Sequence, residues 1–398
     1  MKKDDYSKAF AQTSKNWCFS FAPGRIEFLG NHLDYNGGDV LGMAVNAGIY
    51  CLGVPHSDNK ALGISEEKNQ FSLFSESFED ASWTGVLDNI VRQSGKFGWT
   101  NYCLGVLKEL QTRDLAPSEG FRLIFTTDLP SSVGLSSSAA LELASALTLL
   151  QLAGKSLPTK ELASVCRTAE NEFVGLPCGI LDQGTSAFGK KDHLVHIDCN
   201  EEIFSNLPIP SDTEVWIFNT GIKHDLVDSL YSTRHQECVE ALQKGQEKYP
   251  TKKKLTDFTL DEIEVLNLPG NLKKRATHVS EEQARVMRFK EGLTSKMSAE
   301  ELGRLLAESH ESSSKNFENS CDELDFLAEN LNNHSAVLGA RLTGGGFGGA
   351  VMAWTRSSFN EKDARGIVNQ YKQEFGHEID YHHFLPSDGA RKEDLLKK

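Results

Sequence analysis

LPSSVGLSSSAALE, residues 129–142, runs from the end of one apolar segment through a Gly–Ser-rich loop into the opening of another. Upstream, RLIFTTDLP (122–130) is rich in β-formers and stops at a proline; downstream, SSAALELASALTLLQLAG (137–154) is an Ala/Leu helix with a serine start and a glycine stop. The first N–H groups of a helix have no partner within it, and the helix dipole is positive at that end. The junction therefore suits an anion, phosphate above all. The serine hydroxyls can donate to phosphate or ligate Mg²⁺. There is no G-x-x-x-x-G-K-[ST] run, so this is not a Walker loop. Taken alone, an ordinary serine-capped helix would read the same way.

Three further segments carry chemistry. APGRIEFLGNHLDYNGGDVL (22–41) crowds Arg25, Asn31, His32 and Asp34 between glycines, which suits a loop brought close to a polyhydroxylated ligand. AENEFVGLPCGILDQG (169–184) sets Glu170 and Asp182 around a GLPCG turn, where one carboxylate can hold a metal and the other act as a base. RLTGGGFGGAVMAW (341–354) matches G-x-G-x-x-G at Gly344, Gly346 and Gly349. AVMAW reads as a strand, however, and no βαβ unit surrounds it, so a dinucleotide site is excluded. Its glycines suit a backbone closing over a ligand or another loop. In HLVHID, His193 and His196 lie three apart on a strand and face opposite sides, which argues against a shared metal.

The chain has 398 residues, 39% hydrophobic and 25% charged, enough for two folded domains. NLPIPSD marks the boundary, giving domains of residues 1–207 and 208–398. The second half then reads as a strand (EVWIFNT), polar helices (232–248, 278–293, 298–313) and a strand–glycine loop–strand around 341–355. A net charge of −14 argues against nucleic acid or an anionic membrane as partner, and obliges any nucleotide site to build its own positive potential. Eight scattered cysteines without a C-x-x-C pair read as free thiols in a reducing, cytoplasmic setting. MKKDDYSKAF has no apolar signal-peptide core, and no apolar run approaches a membrane span.

Taken in order, these segments resemble the GHMP kinase superfamily and, within it, the galactokinase family. APGRIEFLGNHLDYNGG resembles the galactokinase signature, GLSSSAALE the superfamily phosphate loop, AENEFVGLPCGILDQ the metal-and-base segment, and NTGIKHDLVDSLYSTRHQEC (219–238) the sugar-side segment with its tyrosine. RATHVSEE, LTGGGFGGA and LPSDGA also fit. The resemblance implies a two-domain α+β GHMP kinase fold with the active site in the interdomain cleft, the extreme C-terminus returning to the N-terminal domain. It implies ATP and Mg²⁺ as cofactors, a small-molecule sugar as substrate, and phosphorylation of the C1 hydroxyl of galactose; a monomer is expected, with a dimer left open.

By the same resemblance Asp182 is the base, and Arg25 stabilises its carboxylate and the developing phosphoryl charge. Ser138 and Glu170 are the Mg²⁺ ligands. Gly134, Leu135, Ser136, Ser137 and Ser138 contact ATP phosphates. Asn31, His32, Asp34, Gly179 and Tyr231 contact the sugar, and Gly344, Gly345 and Gly346 form a supporting loop. Three departures stand out: Asn31 for the family's glutamate, Gly42 for a proline, and an altered 308–321 segment. The last two are expected to affect packing. The glutamate implied at position 31 would face C6 and repel a sugar acid, by roughly 4 kcal/mol for charges about 4 Å apart at an effective dielectric of 20. Asn31 is therefore expected to relax sugar choice. A galacturonokinase, or another C6- or C2-modified hexose 1-kinase, is the alternative. A non-catalytic sugar and ATP sensor is disfavoured by the presence of Asp182, Arg25, Glu170 and the intact loop.

Overall fold

The computed structural model describes residues 16–59, 67–77, 82–130, 134–223, 227–295 and 297–393. The MKKDDYSKAF segment, residues 131–133 of the Gly–Ser loop and 224–226 of the sugar-side segment lie outside them. The strands are β1 (Cys18–Leu29), β2 (Asp39–Pro55), β3 (Gln70–Ser75), β4 (Trp83–Val86), β5 (Phe121–Thr127), β6 (His193–Asp198), β7 (Ile203–Pro208), β8 (Thr213–Lys223), β9 (Val337–Thr343), β10 (Gly348–Arg356), β11 (Asp380–Phe384) and β12 (Arg391–Lys392). They form two sheets. The first runs β12-β1-β2-β5-β3-β4, with β6 and β7 branching from β2; the second runs β11-β8-β10-β9. β7 ends at Pro208 and β8, in the other sheet, begins at Thr213. The last described strand, β12, pairs back onto β1 of the first sheet.

Long β2 makes the branch. Residues Asp39–Gly42 pair with β6 and Ile49–Pro55 with β5, so the strand serves both arms of the sheet. The helix Ser137–Leu152 lies on β1 and β2, burying Ala139, Ala140, Leu143 and Leu149. It is apolar nearly all round because it is covered nearly all round. Gly42 now has a cause: a Cβ there would stand 2.1 Å from Thr185 Oγ1 of the helix Leu181–Phe188, so no larger residue fits while Thr185 stays.

The second domain packs helices against its sheet and against the end of β1. Phe28 of β1 meets Phe289 and Trp354 edge-on, with ring centroids 5.4 and 5.8 Å away. The helix Gly270–Ser295 begins well before the expected position 278. Pro269 supplies its first carbonyl acceptor, to Lys273 N–H at 2.8 Å. The buried Leu272 and Arg275 lie in this early part, where polar neighbours hid the helical stripe.

A buried polar seam joins the domains. Glu282 Oε1 accepts from the backbone N–H groups of Gly30 and Asn31 at 3.0 and 3.1 Å and from Ser309 Oγ at 2.7 Å. Its Oε2 accepts from Arg285 Nε at 2.7 Å. His278 Nε2–H donates to the Asn31 carbonyl at 3.2 Å, which leaves Nδ1 to accept from Ser312 Oγ at 3.0 Å. The altered 308–321 segment, expected only to affect packing, in fact supplies the hydroxyls of this seam.

Two groups in the seam are expected to make the protein acid-sensitive. Burial holds His278 down to about 4, and the Arg285 guanidinium, against the opposing effect of burial, brings Glu282 down to about 2. Each folded-state value lies below its unfolded one, so the unfolded chain binds more protons and stability falls as pH falls. For His278 the window runs from about 6.5 to about 4; for Glu282 it follows, from about 4.5 to about 2. The His278 arm is worth roughly 3 kcal/mol. Urea unfolding of the wild type should weaken between about pH 6.5 and about pH 4.5, and His278→Gln should flatten that arm. An unchanged slope in the variant would remove His278 as its source.

Candidate active site

β1 delivers Arg25 to the cleft. A bulge between Pro23 and Arg25 shifts the strand, and Arg25 N–H donates to the Leu135 carbonyl at 3.0 Å, tying β1 to the Gly–Ser loop. The guanidinium then makes three contacts. Nε and Nη2 both reach Asp182 Oδ1 at 2.7 Å, and Nη1 donates to the Gly134 carbonyl at 2.7 Å. Asp182 sits in the first turn of its helix, and its Oδ2 accepts from Ser136 Oγ at 2.5 Å. Ser136 itself is left-handed (φ 49°) and precedes the helix Ser137–Leu152 without capping it by a side-chain bond. The helix's first N–H groups are thus left without a side-chain cap beside Ser137 and Ser138.

The five residues expected at phosphate divide in use. Leu135 is buried and offers its carbonyl to Arg25, and Ser136 is engaged with Asp182, so these two hold Arg25 and Asp182 in place. Gly134 (φ 73°) and Ser137 are exposed at the loop, and Ser138 is half-buried.

Glu170 lies in a single π-turn, Ala169–Val174, that ends the helix Thr159–Thr168. It is buried. Burial first and the Asp182 charge second raise its carboxyl, while hydrogen bonds from Cys178, Gln183 and Ser138 oppose the rise. Glu170 Oε2 accepts from Gln183 Nε2 at 2.6 Å, and Ser138 lies in the first turn of the helix Ser137–Leu152. No group of three or more His, Cys, Asp and Glu that could hold a metal occurs among the described residues. Two hard oxygen ligands fit Mg²⁺, which keeps waters and takes phosphate oxygens to complete its shell.

At the other end of the cleft lie Asp34, Gly179 and Tyr231. Asp34 Oδ2 packs so closely on Gly179 that a Cβ there would meet it at 2.2 Å. Burial, then the charges of Glu27 and Asp182, push the Asp34 carboxyl up to about 7. Burial and the charges of Asp34, Asp182 and Glu27 raise the Tyr231 hydroxyl, keeping it a donor.

Two expected sugar contacts are placed differently. His32, left-handed at φ 61°, stacks on Phe317 with centroids 4.2 Å apart. Its Nδ1 faces Tyr35 Oη and its Nε2 faces Asn319 Nδ2, both at 3.0 Å, so neither nitrogen is free to meet a sugar. Burial holds this imidazole well below its usual range, and hence neutral. Asn31 is 1% exposed. Its Nδ2 donates to Glu27 Oε1 at 2.8 Å and to the Gly344 carbonyl at 2.9 Å; its Oδ1 accepts from Asn319 Nδ2 at 2.9 Å and Ser313 Oγ at 3.4 Å. All four hydrogen-bonding positions are taken within the protein. The expectation that Asn31 itself reads the sugar is therefore corrected. Its partners at 313, 319 and 344 are distant in sequence, and nothing in the motif announces them. Gly344, Gly345 and Gly346 close over this loop: Gly346 (φ 79°) passes so near Asn319 that a Cβ would meet its carbonyl at 2.1 Å.

Two features escaped the sequence reading. Glu27 reaches the same wall of the cleft as Arg25, and the signal was available, since residues two apart on a strand share a face. The other is a cavity of about 400 Å³ beside Ser137 and Ser138, walled by Ile49, Trp99, Tyr102, Phe125 and Leu141. It is assembled from β2, β5 and the helices Thr100–Thr112 and Ser137–Leu152. Its flat apolar walls suit a planar base adjoining the phosphate loop.

Family models match in three places: the GHMP kinases N terminal domain over residues 101–190, the galactokinase galactose-binding signature over 4–55, and the GHMP kinases C terminal domain over 291–377. A galactokinase of Thermotoga neapolitana is 37% identical over 372 residues, covering 93% of this chain and 99% of its own. One from Mannheimia succiniciproducens is 34% identical over 391 residues, 98% of each chain. The crystal structure of Lactococcus lactis galactokinase complexed with galactose superposes with a TM-score of 0.89 at 29% identity, over 98% of both chains. Methanococcus jannaschii mevalonate kinase shares the fold, with a TM-score of 0.65 at 18% identity over 95% of this chain and 100% of its own.

Proposed function

This chain belongs to the galactokinase family of GHMP kinases, and from that membership we propose that it transfers the γ-phosphoryl group of ATP to the C1 hydroxyl of galactose. One observation carries the mechanism: Asp182 is bonded at once to Arg25 and to Ser136 of the phosphate loop, so base and phosphoryl site adjoin. Asp182 Oδ2 takes the proton of the C1 hydroxyl as that oxygen attacks phosphorus. Arg25 faces the charge that develops on the transferring group. The uncapped N–H groups at Ser137 and Ser138 hold phosphate oxygens, and the aromatic cavity takes adenine. Asp34 and Tyr231 orient the sugar. Phosphoryl transfer asks for alignment and charge neutralisation more than covalent chemistry, and these groups supply both.

Ser138 and Glu170 would hold Mg²⁺, which supplies neutralisation of the phosphate charge when bound. Glu170→Gln and Ser138→Ala should each raise the Mg²⁺ needed for half-maximal activity, because a neutral amide oxygen and a methyl are poorer ligands for a hard dication than the groups they replace. Titrations of both variants that overlay the wild type would place the metal elsewhere.

The same reading makes the protein a cytoplasmic enzyme acting on free sugar and ATP. All eight cysteines are free, and no helix among the described residues is long and apolar enough to cross a membrane. The test is ADP release with Mg²⁺–ATP across galactose, glucose, galacturonate, N-acetylgalactosamine and L-arabinose. Galactose should give the highest kcat/KM; no ADP with any sugar would overturn the assignment.

A further inference from the structure

We propose that Glu27 sets sugar choice at this site: it is a fixed carboxylate that accepts a hydroxyl of a neutral hexose and excludes a sugar acid. The inference rests on the sugar-kinase reading above.

Position comes first. Arg25, Ile26 and Glu27 pair in unbroken register with Ala44, Met43 and Gly42 of β2. Alternation along a strand therefore puts Arg25 and Glu27 on one face, while Ile26 enters the core on the other. The Arg25 face is the cleft face, since it carries the contact with Asp182. Asp34 and Tyr231 both register the Glu27 charge.

The side chain is held at one end and open at the other. Glu27 Oε1 accepts from Asn31 Nδ2 at 2.8 Å and Arg341 Nη2 at 3.1 Å. Arg341 is itself fully buried and fixed by Ser309 Oγ and by the carbonyls of Glu27 and Phe28. Oε2 has no hydrogen-bond partner among the described residues, and the side chain keeps 6% of its surface exposed. The carboxylate is thus pre-oriented, with one free acceptor oxygen on the cleft wall. Asn31, its own groups all engaged, acts as the strut that aims it.

The charge count gives the exclusion. Glu27, Asp34 and Asp182 face the cleft, and Arg25 is already bonded to Asp182. Burial raises the carboxyls of both Glu27 and Asp34, so the site already resists negative charge, and a sugar carboxylate would enter it with no free cation among these groups to receive it.

The test begins with the wild type. Galacturonamide is nearly isosteric with galacturonate but uncharged, and it should inhibit galactose phosphorylation at least about tenfold more strongly than the acid. Equal inhibition overturns the proposal. Next, Glu27→Gln should lower kcat/KM for galactose by about ten- to a hundredfold, through loss of a hydrogen bond to a charged acceptor. It should also reduce the galactose-to-galacturonate ratio at least about tenfold. Because that change leaves Arg341 facing an amide, the double variant Glu27→Gln/Arg341→Gln is read in parallel. In each folded variant a wild-type ratio would reduce Glu27 to an interdomain tie and overturn the proposal. A wild type that releases no ADP with galactose would remove the kinase reading itself, which is a separate result.

Discussion

Asp182→Asn is expected to lower kcat by about 10²–10⁴-fold, the usual contribution of a positioned general base, while leaving KM for ATP close to the wild-type value. The geometry explains why the two constants should separate. Oδ1 receives two N–H donors from Arg25 and Oδ2 receives one hydroxyl from Ser136. An asparagine can turn its carbonyl toward Arg25 and its amide toward Ser136, whose oxygen can accept as well as donate. The Arg25 and Ser136 contacts that shape the phosphate loop are then retained, and so is the nucleotide site. An amide nitrogen cannot accept the C1 proton. Steady-state kinetics with galactose and ATP varied separately decide the matter; near wild-type turnover would take the base role from Asp182.

Legibility from the sequence follows the range of the interactions. The loop-to-helix junction at 134–138 was readable because an uncapped helix start is a local property of a few residues. Arg25, Asp182 and Glu170 were readable as types of group in glycine-rich segments, and the family resemblance assigned their roles. What failed was partnership. Asn31 looked like a residue awaiting a ligand, yet it is saturated by Glu27, Ser313, Asn319 and Gly344. Three of those lie in the other domain, brought in by the seam around Glu282 and Arg341. His32 was misread for the same reason, its ring held between Tyr35, Asn319 and Phe317. The apolar cavity went unseen because Ile49, Trp99 and Phe125 meet only when β2, β5 and the helix Thr100–Thr112 pack together. Glu27 alone was accessible to local reasoning, through strand alternation with Arg25.

Arg25 should show a different signature from Asp182, because it holds two things together. Its Nε and Nη2 fix Asp182, and its Nη1 fixes the Gly134 carbonyl of the Gly–Ser loop. Arg25→Met keeps the aliphatic stem along β1 and removes all three contacts, along with the positive charge facing the transferring group. Loss of one preorganised donor to transition-state charge costs about 10²–10³ in kcat. Loosening of the loop should in addition raise KM for ATP, which Asp182→Asn does not do. Arg25→Lys should recover little, since a single ammonium cannot span Asp182 and Gly134 as a planar fork does. The decisive measurement is the double variant Arg25→Met/Asp182→Asn. If the two side chains act as one unit, aligning and deprotonating the same hydroxyl, the second substitution has little left to remove. The kcat of the double variant should then fall close to that of the worse single variant. Losses that multiply instead would mean that Arg25 and Asp182 act on the reaction independently, and the paired role drawn from their contact would be wrong.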